Sequence, residues 1–582
     1  MTFSHLSQYF QKLEGTASRN AMTEILADLF RHAKEDEIGK LCYLLQGRVA
    51  PLYEPIEFGV ADKFMIRAIA RAYGVGDAVV RKEFKKTGDV GIVAEKLKTQ
   101  NSKLKTTTQN LKVEDVYEKL FQLTRMGGEG SQEKKIEALS QLLRSVDALS
   151  SRYLVRIPLD KLRLGFSDMT ILDALSWMLA GDKSLRIRLE EVYNIRPDIG
   201  LLAMEIKAHG IAGLSHVKAT VGAPILASLC QRLPTADEMI KKMGEVAVEP
   251  KWDGVRVQIH FSKIGRQQDS KIAKVETFSR NLENTTEMFP ELQKVGDQLN
   301  AHEVILDSEA VGIDPATGKL IPFQETMTRK RKHNIIEATK NVPLKFFVFD
   351  ILYKDGKELL SMPLRDRRNI LGETVKSGNM LVLSPLIVTN KPERIRTYHD
   401  EQIAKGLEGA VVKKWKSPYD PGRRGYSWVK FKEEEGKTGK LTDTIDAVVM
   451  GYYRGEGKRA GFGIGAFLVG VKKGEEFVTM TKVGTGVSDE LWKDLRVRLG
   501  ALKFSEKPKE YAEVNKIFVP DVWVIPKIVV EVAGDDLTKS STHGAGVAIR
   551  FPRLVRIRAD KSPGQATTVR ELEMLYNQQG AK

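Results

Sequence analysis

Over the first 225 or so residues, apolar positions recur at three- and four-residue spacing with polar residues between them. Segments 21–46 and 134–150 are clear cases, and the spacing predicts amphipathic helices. Loops rich in Gly, Ser and Lys separate these segments. The stretch KTQNSKLKTTTQN at 98–110 is polar, basic and poor in apolar residues, so it reads as an exposed loop. Near Leu233-Pro234 the period changes. From Glu245 to about Lys440 short β-rich runs dominate: VAVEPKWDGVRVQIHF, KVETFSR, VILDSEAVGI, KFFVFDILY, GAVVKKW and SWVKFK, punctuated by Gly, Asn, Pro or Asp. Helical stretches at 283–300 and 391–405 are interleaved, which predicts a mixed α+β domain.

A third region opens after the charged run KEEEGKTGK (432–440). TIDAVVMGYYRG, GAFLVGVKK, EFVTMTKVGTG and WVIPKIVVEVAG, with one helix near 488–500, suit a small β-barrel of the oligonucleotide-binding kind, the OB-fold. No repeat of solenoid period is visible. The pattern therefore predicts an all-α domain at 1–225, an α+β domain at 226–438 and a β-barrel at 439–582. At 582 residues the chain is too long for one core, in keeping with that division.

Charge narrows the partners. A formal charge of +16 and a pI near 9.4 predict polyanions, either nucleic acid or an acidic membrane surface. No run of 18 or more apolar residues exists and the N-terminus lacks a signal-peptide pattern, so no membrane association is expected. Two cysteines, Cys42 and Cys230, cannot build a disulfide framework or a Cys-rich zinc site, and a reducing cytoplasm is the expected location.

The chemistry concentrates at EPKWDGVR, 249–256. A lysine amine can attack the α-phosphate of a nucleotide and hold it as a phosphoramide. K-x-D-G alone arises by chance in roughly a few tenths of chains this long. To act, Lys251 must be neutral, some three units below its reference pKa of about 10.4; burial and a cation such as Arg256 both push that way. VILDSEAVGI sets Glu309 in an apolar run, and KGLEGAVVKK sets Glu408 just before another. Such carboxylates pair with cations or bind magnesium or ribose. SRN at 279–281 and RRGYSWVKFK at 423–432 supply Arg280, Arg424, Lys430 and Lys432. Strand alternation puts Lys430 and Lys432 on one face and Val429 and Phe431 on the other. In FFVFDIL, Phe349 is either core or a ring on which a base stacks. The phosphate-cradling G-x-x-x-x-G-K-S/T fails at GKT (436–438), where Phe431 stands in place of the first glycine.

In order, KWDG, SRN, DSEAV, FVFD, LEG and WVKFK resemble the nucleotidyltransferase motifs of ATP-dependent DNA ligases, and RFPRLVRIRADK (550–561) is similar to the family's last motif. In the helical region, KTGDVGIVAEKL (86–97) and PLDKLRLGFSDMTILDAL (158–175) resemble the ligase DNA-binding domain. The three-domain layout resembles archaeal and eukaryotic replicative ligases without the extensions of some eukaryotic members, which disfavours a nuclear protein and suits a nucleoid-associated cytoplasmic one. The resemblance implies that Lys251 is the adenylated nucleophile, Glu249 reads the adenine amino group and Phe349 stacks on the base. It implies further that Arg256, Arg280 and Glu309 hold ribose and phosphates, that Glu309 and Glu408 hold Mg2+ or Mn2+, and that Arg424, Lys430 and Lys432 neutralise the triphosphate. Arg550, Arg553, Asp560 and Lys561 fall in the last motif, which orients the leaving pyrophosphate.

The implied activity is ATP-dependent nick sealing in duplex DNA, through lysyl-AMP, AMP transfer to the 5′-phosphate and attack by the 3′-hydroxyl, in replication, repair and recombination. A monomer clamped on DNA with little sequence preference is expected. PFQETMTRKRK (322–332) is basic enough to contact a phosphate backbone, and the 98–110 loop lies where relatives dock a sliding clamp. RNA ligases and capping enzymes share the lysine chemistry, but the helical region before the motif favours DNA. A non-catalytic scaffold has no need of Lys251, Glu309, Glu408, Lys430 and Lys432 together.

Overall fold

The computed structural model describes residues 1–100, 109–263, 273–321, 323–329, 335–431, 443–455 and 457–580. The chain divides into two compact units, Met1–Phe431 and Lys432–Lys582. Among the described residues no helix is long and apolar enough to cross a membrane.

The first unit begins with helices, from Phe3–Glu14 to Ile199–His209, packed on one apolar core. The segment 21–46 forms two helices, Arg19–His32 and Glu35–Leu45; 134–150 is likewise split, because Asp147 accepts a hydrogen bond from the Ser150 N–H and starts a new helix there. The expected loop at 98–110 is in part helix: Val90–Gln100 carries Lys98 inward, 3% exposed, where its ammonium donates to the carbonyls of Leu143 and Arg144 at the end of a neighbouring helix. The rest of that stretch up to residue 108 lies outside the described residues. The two segments that resemble a DNA-binding domain meet at Asp89. Its carboxylate accepts from Gly91 N–H at the start of Val90–Gln100, pairs with the buried Arg156 at 2.7 Å, and lies 3.2 Å from Arg163 of the second segment.

Two sheets follow. One runs β1 (Leu229–Leu233), β11 (Arg424–Phe431), β10 (Ala410–Lys414), β2 (Val246–Pro250), β9 (Ile387–Thr389). The other runs β4 (Ala273–Ser279), β3 (Val255–Lys263), β5 (Glu303–Gly312), β6 (Leu344–Lys354), β7 (Lys357–Glu358), with β8 (Leu381–Leu383) beside β6. Each sheet has an apolar core on one face. Val246, Val248, Val412, Val429 and Phe431 pack with the helices Ala236–Met243 and Pro392–Ala404, while Val257, Ile259, Leu306, Phe346 and Val348 pack with Leu364–Thr374. The helix expected at 283–300 is instead two 3-10 pieces, Thr286–Met288 and Pro290–Gln298. Pro290 has no N–H to give and Gly296 favours no helix, so a continuous α-ladder is not formed there.

The second unit has a seven-stranded sheet. Its long strand Ile445–Tyr453 pairs on one side with Ala466–Lys473. On the other side it pairs with both Val522–Val524 and Val529–Ala533, two strands separated at Pro526. The expected helix is Asp489–Gly500. Among the described residues no ladder joins the outer strands, so the sheet is open and the predicted barrel closure is absent from its pairing.

Candidate active site

The strand run around the lysine breaks where the two sheets are joined. Residues 251–254 leave β2 of one sheet and enter β3 of the other. Lys251 N–H donates to Gly409 O at 2.8 Å, and Glu408 N–H donates back to Lys251 O at 3.3 Å, so the KWDG and LEG segments extend the β2–β10 pairing. Gly254 is fixed by packing: a Cβ there would fall 2.3 Å from Ala310 O of β5, where backbone cannot yield. Trp252 anchors the turn by stacking on Phe347, ring centroids 3.7 Å apart, and by donating from its indole N–H to Ser384 Oγ at 3.1 Å. The Lys251 ammonium pairs with the Glu408 carboxylate, both side chains 23% exposed.

On the first sheet, Glu249, Val411 and Lys430 are direct neighbours across three strands and share a face. Glu249 is 2% exposed; its Oε2 accepts from Lys413 Nζ at 2.9 Å, and among the described residues its Oε1 has no hydrogen-bond partner. Trp428, two residues before Lys430, lies on the same side, with Lys413 Nζ 4.1 Å from its ring centroid. Val429 and Phe431 point into the opposite core, as alternation predicts.

On the second sheet, Arg256, Glu309 and Phe347 form a row across β3, β5 and β6. Arg256 makes a two-pronged pair with Asp307, at 2.8 and 2.6 Å, and its guanidinium lies 5.0 Å from the Phe349 ring centroid. Tyr419 O–H donates to the same carboxylate at 2.8 Å. Burial drives the Tyr419 hydroxyl far above its ordinary pKa, and the carboxylate of Asp307 adds to that. Phe349, 6% exposed, meets Trp428 of the facing sheet edge-on at 5.9 Å. It is both core and wall of the polar cluster.

Burial pushes the Glu309 carboxyl from 4.5 up to about 7, with Asp307 and Asp253 adding to the rise and Arg256 and Lys251 opposing it. Between those values the folded protein holds a proton that the unfolded chain releases. The stability this group contributes is therefore full below about pH 4.5 and is lost as pH rises through about 7. Without divalent metal, the melting temperature of Glu309→Gln relative to wild type should rise from pH 5 to pH 8. A constant difference would mean that the carboxyl does not titrate in the folded protein as that shift requires.

Arg280 lies on the exposed turn after β4, one residue beyond the Ser279–Val257 register pair and so beside the strand position of Arg256. Arg424 contributes backbone to β11, but its side chain lies outside the described residues, as does Lys432. Of 322–332, residues 322 and 330–332 lie outside them too. Arg329 is buried there, its guanidinium donating to Glu291 and to the carbonyls of Met288 and Val342. In the second unit, Arg553 pairs with Asp535 and Lys561 with Asp446, while Asp560 is held by Arg558, which also reaches Asp446 at 3.0 Å. Arg550 ends the strand Val547–Arg550. Sequence reasoning missed Asp307, Lys413, Tyr419 and Arg558. Asp307 carries the signal that marked Glu309, a charge inside an apolar run, and Lys413 ends such a run; Tyr419, outside any helix or strand, carries none.

A lysine at the joint of two facing sheets, flanked by carboxylates and cations, has the parts of a covalent nucleotidyl-transfer site. Residues 224–432 match the model of the ATP dependent DNA ligase domain, 2–176 that of the DNA ligase N terminus, and 460–561 that of the ATP dependent DNA ligase C terminal region. The chain belongs to the ATP-dependent DNA ligase family, whose members join DNA strands at nicks. A "Probable DNA ligase" of Dictyoglomus thermophilum is 42% identical over 100% of this chain and 99% of its own length. A "DNA ligase" of Pyrobaculum calidifontis is 38% identical over 100% and 99%. The solved structure "Pmar-Lig_PreS3" covers 95% of this chain and 99% of its own at a TM-score of 0.54 and 17% identity, a likeness of fold.

Proposed function

We propose that Lys251 is the residue that carries AMP in this ligase. The amine forms a bond to the α-phosphorus of ATP, the bond to pyrophosphate breaks, and the amine's proton leaves. The AMP is then transferred to a 5′-phosphate at a nick, from which the 3′-hydroxyl displaces it. The observation that carries this reading is the Oε1 of buried Glu249, two residues before the lysine, which has no hydrogen-bond partner among the described residues. A buried carboxylate oxygen without a donor is costly, and the amino group of adenine is a donor of the right kind. Guanine offers a carbonyl at that position, which would face the carboxylate as a second acceptor. Phe349 supplies a ring for the base, while Arg256, Arg280, Arg424, Lys430 and Lys432 are assigned to ribose and phosphates. The carboxylates of Glu309 and Glu408 both lie near Lys251, an oxygen donor set that fits Mg2+ or Mn2+, and such an ion would offset phosphate charge. In its absence Glu408 holds the lysine as an ion pair.

With ATP labelled on the α-phosphate the protein should become covalently labelled, and labelled GTP should react about two orders of magnitude less well or worse. Equal labelling by both would remove Glu249 from base reading.

The domains are proposed as 1–225 for DNA binding, 226–438 for adenylation and 439–582 as an OB-fold module, together gripping a nicked duplex mainly through its phosphates. The net charge of +16 supports this. Affinity for a nicked duplex should then fall by about 10³-fold or more between 50 and 200 mM salt. A nearly flat salt dependence would argue against a phosphate clamp.

A further inference from the structure

Away from the nucleotide site, one cluster combines two imidazoles with a carboxylate. Glu205 and His209 are four residues apart on the helix Ile199–His209, so they share a face. The 3-10 turn Gly210–His216 doubles back on that helix and returns His216 to the same place. His216 Nδ1 lies 2.7 Å from Glu205 Oε2, and His209 Nε2 lies 3.9 Å from it. The two rings stand edge to face with centroids 5.0 Å apart. One nitrogen or oxygen from each of the three residues falls within 4.8 Å of the others. Gly213 makes the return possible, because a Cβ there would lie 2.2 Å from Glu205 O, and the buried Leu214 pins the turn.

We propose that Glu205, His209 and His216 bind a divalent transition-metal ion of the zinc type. Zinc takes imidazole nitrogen and carboxylate oxygen at about 2.0–2.1 Å, which sets tetrahedral donors about 3.3 Å apart. The separations of 2.7 and 3.9 Å from Glu205 straddle that value. Both imidazoles are about half exposed, at 53% and 52%, so they can turn by the ångström required without repacking a core. Magnesium, which takes oxygen ligands, does not compete for two nitrogens. Three protein donors leave the fourth position to water. The ion would tie the end of the helix Ile199–His209 to residue 216, three residues before Ala219, whose N–H donates to Glu358 Oε1 at 2.6 Å. It would therefore brace the start of the strap that leads from the helices to the sheets.

The test uses the tag-free full chain, stripped with a chelator and titrated with Co2+ and then Zn2+ in excess Mg2+, which occupies carboxylate-only sites. One equivalent of Co2+ should bind with the visible absorption of a nitrogen-ligated tetrahedral ion, and Zn2+ should displace it. His209→Ala and His216→Ala should each weaken binding by about tenfold or more, and Glu205→Gln should weaken it with both imidazoles intact. Zn2+ should also slow hydrogen exchange at 210–219 in the wild type and not in His216→Ala. Metal-free melting curves matching the wild type's will establish that the variants fold, as their exposure predicts. Absence of nitrogen-ligated Co2+ binding in the wild type, or the same affinity in both histidine variants, would overturn the proposal and leave a surface hydrogen-bonded pair.

Discussion

Lys251→Ala should abolish covalent labelling by α-labelled ATP and reduce ATP-dependent nick sealing by about 10⁴–10⁶-fold, the scale on which removal of an enzyme nucleophile is felt. The fold should survive. The bonds that place the segment are made by the Lys251 backbone with Gly409 and Glu408, and they do not depend on the side chain. Lys251→Arg should fail equally, because a guanidinium does not release the proton that attack on phosphorus requires. A nick whose 5′-phosphate already carries AMP isolates the cause. Sealing it needs only the 3′-hydroxyl and the groups that orient the activated phosphate, so the Ala variant should retain activity on that substrate. Labelling that persists in Lys251→Ala would move the nucleophile elsewhere, and loss of sealing on the pre-adenylated nick would make the defect structural.

Lys251, Glu309, Glu408 and Lys430 were legible in the sequence because each is marked locally, by a motif, by an apolar flank or by strand alternation. What each one touches was not. Glu249 meets Lys413 across 164 positions, and Asp307 gathers Arg256 and Tyr419 from 51 and 112 positions away. A period of two says which face a residue takes; the partner on that face depends on the order of strands in the sheet. The same limit explains the third region. The strands from Ile445 to Ala533 were marked by their β-branched runs, yet whether the sheet closes depends on which edges pair, and Ile445–Tyr453 divides one edge between two partners. Lys98 misled for a different reason. Polar composition predicts exposure, but a lysine stem can lie in a core while its ammonium satisfies the last carbonyls of a helix.

Asp350→Ala should destabilise the first unit by about 3–5 kcal/mol, the cost of stranding a buried charge. Asp350 ends the FVFD segment and Arg367 lies on the helix Leu364–Thr374; both side chains are 0% exposed. The guanidinium donates to Asp350 Oδ1 at 2.8 Å and Oδ2 at 2.9 Å, and also to Met362 O, while Asp350 Oδ1 accepts from the Ile351 N–H. The pair thus binds the helix to the strand that carries Phe349, and the guanidinium also lies 5.7 Å from the ring centroid of Tyr419. At about 2–4 °C per kcal/mol, the melting temperature should fall by roughly 6–20 °C. Removing both charges together, as Asp350→Leu with Arg367→Met, should recover much of that loss, because neither partner is then left alone in an apolar setting. Below its melting temperature Asp350→Ala should still accept label from ATP, which separates a scaffold residue from a nucleotide contact. If labelling vanished while melting stayed unchanged, Asp350 would belong to the site rather than to its support.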